Sequence, residues 1–206
     1  MKQRETKQTI ILGYNGTGKS TLTRKIIFTY LKKAGRKSLI VTPDAAEWTD
    51  VKETMLEKPS DFQFEGARRY IWTFIKKEDE AAMQNLRNWY FDGILAFDDC
   101  RSYLGASTDE WMKYLYIRRR QKMIDLMLIT HGFTDVPPQA FTNCSDLFLF
   151  RTVDNMIRRK NELRNLNEMI QNQNRVNNRA TDTKKAWTRT KKIEDNRHYY
   201  ERIKFN

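Results

Sequence analysis

The sequence predicts an α/β fold, a mainly parallel central sheet flanked by helices with a basic helical C-terminal extension, and three observations predict it. Continuous apolar runs of strand length recur through the first three quarters of the 206-residue chain, in the form taken by parallel strands buried on both faces. Stretches of helical period separate them. Three of the runs end in glycine or polar residues, and the C-terminal ends of parallel strands are where such sheets place ligands.

The first run, "KQTIILG", reads as a short buried strand, and "KSTLTRKIIFTYLKKAG" after it reads as an amphipathic helix stopped by Gly35. The junction carries the chemistry. Gly13, four residues, Gly18, Lys19 and Ser20 match G-x-x-x-x-G-K-[ST], a loop whose backbone N–H groups surround phosphate oxygens. Tyr14, Asn15, Gly16 and Thr17 fill the loop and Thr21 follows it. The glycines let the chain close on oxygen atoms that a side chain would block. Lys19 meets the phosphates as a cation, Ser20 offers a hydroxyl to Mg²⁺, and the helix start points its positive end at the anion. A nucleoside triphosphate, ATP with Mg²⁺, is the expected ligand.

A second strand, "SLIVTP", a variable stretch and a helix, "EDEAAMQNLRNWY", lead to "FDGILAFDDCR". Four residues of strand, Ile94 to Phe97, end in Asp98 and Asp99, the shape of a Walker B segment. Asp98 is expected to hold Mg²⁺ through water together with Ser20, and Asp99 to orient or deprotonate the attacking water. Asp98 follows Lys19 by 79 residues, a spacing that suits NTPases with another strand between the phosphate-loop and Walker B strands. A third apolar strand, "IDLMLITHG", follows and ends in Thr130 and His131, where many motor ATPases keep a γ-phosphate sensor. Ahead of it "YLYIRRRQK" puts Arg118, Arg119 and Arg120 at a helix end, either as cations favoured at a C-terminus or as a source of an arginine for a neighbouring subunit's γ-phosphate. "DLFLFRT" completes the sheet.

Charge divides the chain. Of the net +12, the segment from Arg151 onward holds +8, with fifteen Lys and Arg against seven Asp and Glu. This basic, Asn-rich quarter reads either as a surface for a polyanion or as a solvated helical face, with Ile157, Leu163, Leu166, Met169 and Ile170 at helical spacing. "NQNRVNNRATDT" is linker-like, and "RHYYERIKFN" alternates as an exposed-edge strand would, or serves as an arm. The expected division is an ATPase core over 1–152 and an extension over 153–206 packed on it. No run approaches the roughly 18 apolar residues of a membrane span. Without a signal-peptide pattern at the N-terminus, the host cytoplasm or a virion is the expected location. Cys100 and Cys144 lack metal-ligand spacing and are expected to be free thiols.

The order "GYNGTGKST", "ILAFDD", "RQKMIDLMLITHGFTDVPPQAFTNCSDLFLFRT" resembles the HerA/FtsK superfamily of DNA-pumping ATPases, over roughly residues 7 to 152. The resemblance implies a RecA-like (ASCE) P-loop NTPase fold. It also implies that Arg120 matches the family arginine, and that His131 stands where the family usually has glutamine. Met123 stands where glycine is common. Lacking the extra N-terminal domain of the cellular pumps and the transmembrane tail of filamentous-phage assembly proteins, the sequence is similar to genome-packaging ATPases of tailless, membrane-containing icosahedral viruses. That implies a homo-oligomeric ring, hexamer or pentamer, with nucleotide at subunit interfaces. The resemblance further implies DNA in the ring's channel, gripped without sequence preference, and viral capsid or portal-vertex proteins as partners. Conjugative transfer or phage extrusion of DNA fits the same motifs. From other classes, a small P-loop kinase with "YIRRRQ" as lid and a non-hydrolysing nucleotide-gated interaction protein also stay open, although the acidic pair suits water activation better than acceptor binding.

Overall fold

A computed structural model describes residues 5–103, 110–163, 165–186 and 199–205. Eight strands form one sheet: β1 (Gln8–Leu12), β2 (Lys37–Thr42), β3 (Lys52–Glu53), β4 (Gly66–Ile71), β5 (Gly93–Phe97), β6 (Ile124–Thr130), β7 (Asp146–Leu149) and β8 (Glu201–Lys204). Their order is β3-β4-β2-β5-β6-β1-β7-β8. Every pair is parallel except β7 with β8. The helices are α1 (Lys19–Ala34), α2 (Lys76–Trp89), α3 (Glu110–Arg118), α4 (Pro138–Thr142) and α5 (Leu166–Ala186).

The continuous apolar strands follow from burial on both faces. In β1 all five residues are buried, and alternate side chains enter different cores. Ile11 joins Leu22 and Ile27 of α1, while Ile10 and Leu12 join the cluster holding Met83 and Leu86 of α2, Met112 of α3, Phe141 of α4 and Met169 of α5. Helix α1 thus covers one face and the other helices cover the opposite one. With about 1.5–3 kcal/mol for each fully buried aliphatic side chain, this two-sided burial fixes the central strands and with them the positions of their C-terminal ends. The mostly parallel sheet between helical layers is the P-loop NTPase fold, with β6 between β1 and β5.

Several local expectations change. The variable stretch after β2 contains β3 and β4. Strand β4 escaped an apolar-run reading because Arg68 and Arg69 sit in it half-buried, with Arg69 Nη1 donating to the carbonyls of Ala45 and Glu47 at 3.0 and 2.5 Å. The helical spacing from Ile157 is not one helix: a 3-10 turn spans Met156–Arg159, Ile157 is exposed, and the regular helix starts at Leu166. The linker-like "NQNRVNNRATDT" is instead the body of α5. Val176 is buried there, and Gln173 and Asn177 donate to the Thr152 carbonyl at 3.0 and 2.8 Å, so amide side chains dock the helix where apolar ones are scarce. The terminal strand is present as β8, with Glu201 and Ile203 half-buried and Arg202 and Lys204 exposed. Trp187 and the basic run through Lys192 lie outside the described residues. Cys100 and Cys144 are buried free thiols. Met123, where the resemblance expected glycine, holds φ 56, the left-handed conformation glycine adopts without Cβ strain. Among the described residues no helix is long and apolar enough to cross a membrane.

Candidate active site

The loop between β1 and α1 is pinned at its root. Gly13 N–H donates to Thr130 O at the end of β6 at 3.2 Å, and Tyr14 N–H donates to Arg151 O beyond β7 at 2.9 Å. Glycine at 13 is a steric requirement, since a Cβ there would lie 2.4 Å from Phe150 Cβ. Gly18 caps α1 in the left-handed region, at φ 101. Thr17 Oγ1 donates to Tyr14 O at 2.7 Å and Thr23 Oγ1 to Lys19 O at 2.9 Å. These bonds hold the turn and the first turn of the helix.

Adjacent strand ends bring the acids to the loop. A cleft of about 500 Å³ is lined by Asn15, Gly16, Gly18, Lys19, Ser20 and Thr21 on one side, and by Asp98, Asp99 and His131 on the other. Gly13, Tyr14 and Thr17 stand behind this lining as the frame. Lys19 is buried, and its Nζ donates to the carbonyls of Gly13 and Tyr14 at 2.7 and 2.9 Å and lies 3.3 Å from His131 Nδ1. Burial pulls its pKa below the ordinary lysine value, against the opposing pull of Asp98 and Asp99.

The two carboxylates differ. Asp98 is buried, which raises its pKa, and the Trp48 indole and the Asp99 amide partly offset that rise. Its Oδ2 accepts from Trp48 Nε1–H at 2.6 Å and its Oδ1 from Asp99 N–H at 3.1 Å. Asp99 sits at φ 44 with its carboxylate half-exposed, 3.1 Å from His131 Nε2 and accepting from Ser102 Oγ at 3.0 Å. The imidazole, followed by the Ser102 hydroxyl, holds this carboxyl below the usual range. With Nδ1 facing the Lys19 ammonium, the neutral ring carries its proton on Nε2, toward Asp99. Lys19, His131 and Asp99 therefore form a continuous polar chain across the cleft.

The oxygen donors fit Mg²⁺. Ser20 and Asp98 share the cleft, and among the described residues no cluster of three or more His, Cys, Asp or Glu forms a protein cage. A small hard cation held by one or two protein oxygens, with phosphate and water supplying the rest, needs no such cage.

Arg120 is elsewhere. It follows α3 at the opposite end of the sheet, beside Arg119, whose Nη1 donates to Thr6 O and Oγ1 at 3.0 and 2.9 Å just ahead of β1. The length of β1, roughly 17 Å at 3.3 Å per residue, separates it from its own chain's phosphate loop. Arg119 is buried, while Arg118 and Arg120 are both exposed; Arg118 donates to Gln121 Oε1 at 2.6 Å, and Arg120 has no side-chain partner among the described residues.

Sequence reasoning missed the loop after β2. Thr42, Pro43, Asp44 and Glu47 line the cleft beside Asp98, and Trp48 lies behind them. The available signal was a tryptophan and three acids, "PDAAEWTD", directly after an apolar strand.

No protein-family model matches the chain. The uncharacterized protein 075L of Invertebrate iridescent virus 6 is 26% identical over 161 residues, 76% of this chain. The match spans 57% of that relative's length. The genome packaging NTPase B204 from Sulfolobus turreted icosahedral virus 2, in complex with ATP-γS, superposes over 97% of both chains with a TM-score of 0.58 at 15% identity. Its complex with AMPPCP gives 0.57 at 16% identity over 72% of this chain and 76% of that one. B204 from Sulfolobus Turreted Icosahedral Virus, described as a DNA-packaging ATPase, gives 0.57 at 17% identity over 85% and 84%. At these identities the likeness is one of fold.

Proposed function

We propose that the chain is an ATPase of the HerA/FtsK type that drives DNA into a preformed viral capsid, working as a homo-oligomeric ring. One observation carries the reading: the phosphate loop, the acidic pair and His131 converge on one cleft at the ends of three adjacent parallel strands. The fold it shares with viral packaging NTPases supports the choice of cargo.

The residues divide the work by their environments. The loop amides and the α1 N-terminus receive the phosphates, and Lys19 exchanges two neutral carbonyls for phosphate oxygens. Ser20 and Asp98 would hold Mg²⁺, which would supply positive charge against the phosphate oxygens. Asp99, kept ionised well below neutral pH, is a persistent acceptor and a weak base, so it orients the attacking water more than it retains its proton. His131 joins Lys19 to Asp99, and a γ-phosphate that engages Lys19 changes what Nδ1 faces; this is the sensor role. Arg120 acts on the neighbouring subunit's nucleotide.

Two guanidiniums of the basic quarter are tied into the fold. Arg159 donates to the carbonyls of Phe133, Thr134 and Val136, and Arg202 donates to Asp146. DNA binding is expected to be independent of sequence and to weaken steeply as salt rises.

The test is the ATPase rate with and without double-stranded DNA, beside Lys19→Ala and Asp99→Asn. Stimulation by DNA that both variants lose is the expected result. Turnover indifferent to DNA across a range of salt overturns the motor reading, and phosphate transfer to a small acceptor replaces it with a kinase.

A further inference from the structure

Trp48 occupies a costly position. Its backbone lies at φ 56, a left-handed conformation that bulky L residues avoid and that persists only where the surroundings over-determine it. Here they do. The Trp48 carbonyl accepts from Val51 N–H at 2.9 Å, and the Asp44 side chain, accepting from Ala46 N–H at 2.8 Å, shapes the turn ahead of it. The ring is fully buried with Val51, Ile94 and Ala96. Above it, 4.3 Å from the ring centroid, stands the guanidinium of Arg24 from α1, itself bound to Asp50 at 2.6 and 2.7 Å.

All of this aims one N–H at Asp98 Oδ2, 2.6 Å away. An indole N–H only donates, so the contact has one sense: it favours the carboxylate and fixes its plane. Trp72, Trp89 and Trp111, by contrast, make ring contacts with Tyr103, Phe62 and Phe97.

We infer that Trp48 is a positioning residue for the divalent cation: its indole N–H holds the Asp98 carboxylate with the remaining lone pairs turned to the cleft shared with Ser20. The inference rests on the nucleotide-hydrolysing reading for the identity of the cation. Two of the carboxylate's roughly four lone-pair sites are engaged, by the indole and by the Asp99 amide, which leaves the others for metal-bound water. Outer-shell partners of this kind orient the groups that meet a metal.

Trp48→Phe keeps an aromatic ring beneath Arg24 and removes the donor together with part of the buried ring volume. Calorimetry with β,γ-methylene ATP, titrated with MgCl₂, is expected to show the Mg²⁺ half-saturation rising about tenfold, the lower end of outer-shell effects. Metal-free binding of the analogue should stay unchanged. A second readout is spectroscopic: the ¹⁵N-indole resonance of Trp48 should move in nucleotide-free Asp98→Asn, and in the wild type when MgCl₂ and the analogue are added. The resonance is assigned by its loss in Trp48→Phe or, if that variant does not fold, by its proximity to Arg24. Unchanged Mg²⁺ dependence in folded Trp48→Phe, or an indole resonance blind to Asp98→Asn, overturns the inference. Neither readout needs turnover, so a chain that fails to hydrolyse ATP refutes the functional reading and leaves this one to be judged on binding and spectra.

Discussion

Lys122 shows how one side chain ties stability to pH. It is buried at the turn before β6, with Nζ 3.7 Å from the Phe91 ring centroid and donating to Tyr90 O at 3.2 Å. Burial, with Arg87 adding repulsion, pulls its pKa down to about 8 from 10.5. Between those values the unfolded chain binds more protons at this site than the folded one, so the group's contribution to stability rises with pH across that window. Below pH 8 the lysine is charged in both states and the whole penalty is present. Denaturant midpoints of the wild type and Lys122→Met, measured from pH 7 to pH 10.5, are expected to converge on or move toward the wild type's advantage as pH rises. A difference that stays flat, or that runs the other way, refutes the assignment. The polar chain from Lys19 through His131 to Asp99 follows the same logic at the cleft, where burial weakens one charge and a neighbouring ring steadies another.

At the scale of elements, legibility followed the apolar runs. β1, β2, β5, β6 and β7 were readable because burial on both faces demands unbroken hydrophobic sequence, and α1 because Gly35 ends it in a left-handed cap. The phosphate loop and the acidic pair were readable because their chemistry fixes residue type and spacing. What escaped was held by polar contacts. Strand β4 keeps two arginines half-buried, and α5 docks through Gln173 and Asn177 as well as apolar residues, so neither presents the expected pattern. Trp48 escaped for another reason: its link to Asp98 spans fifty residues and exists only once β2 and β5 pair. The reassignment of the linker-like segment to α5 has a direct test. Val176→Ala, at a fully buried position, should cost about 2 kcal/mol, toward the low end of aliphatic truncations in a packed interior. Asn178→Ala, on the exposed side, should be neutral or slightly stabilising because alanine favours helix. Equal, negligible effects in chemical denaturation would mean the helix does not dock.

At the scale of the whole molecule, the sheet separates the cleft from Arg120 by its own length. The cleft lies at the C-terminal ends of the strands, while Arg120 is at the other end, exposed and without a side-chain partner among the described residues. One chain cannot bring the two together without unfolding β1, so Arg120, if it acts on a γ-phosphate as proposed, acts on a neighbour's. A ring with such interfaces has a distinctive response to mixing. Lys19→Ala removes the phosphate lysine from a subunit's own cleft and leaves its Arg120 intact; Arg120→Ala does the converse. Each variant alone is expected to be inactive, because every interface lacks one component. In a ring assembled at random from equal amounts, an Arg120→Ala subunit presents an intact cleft to the arginine of a Lys19→Ala neighbour at about one interface in four, since the contact is head-to-tail. Recovery of about a quarter of wild-type ATPase activity on co-assembly is therefore expected if interfaces act independently, and less if they fire in sequence. The measurement is steady-state turnover after denaturing and refolding the two variants together, with separately refolded mixtures as the control. Full activity in Arg120→Ala alone would remove this arginine from the reaction, and no recovery in co-assembled rings would refute its action in trans between independent interfaces.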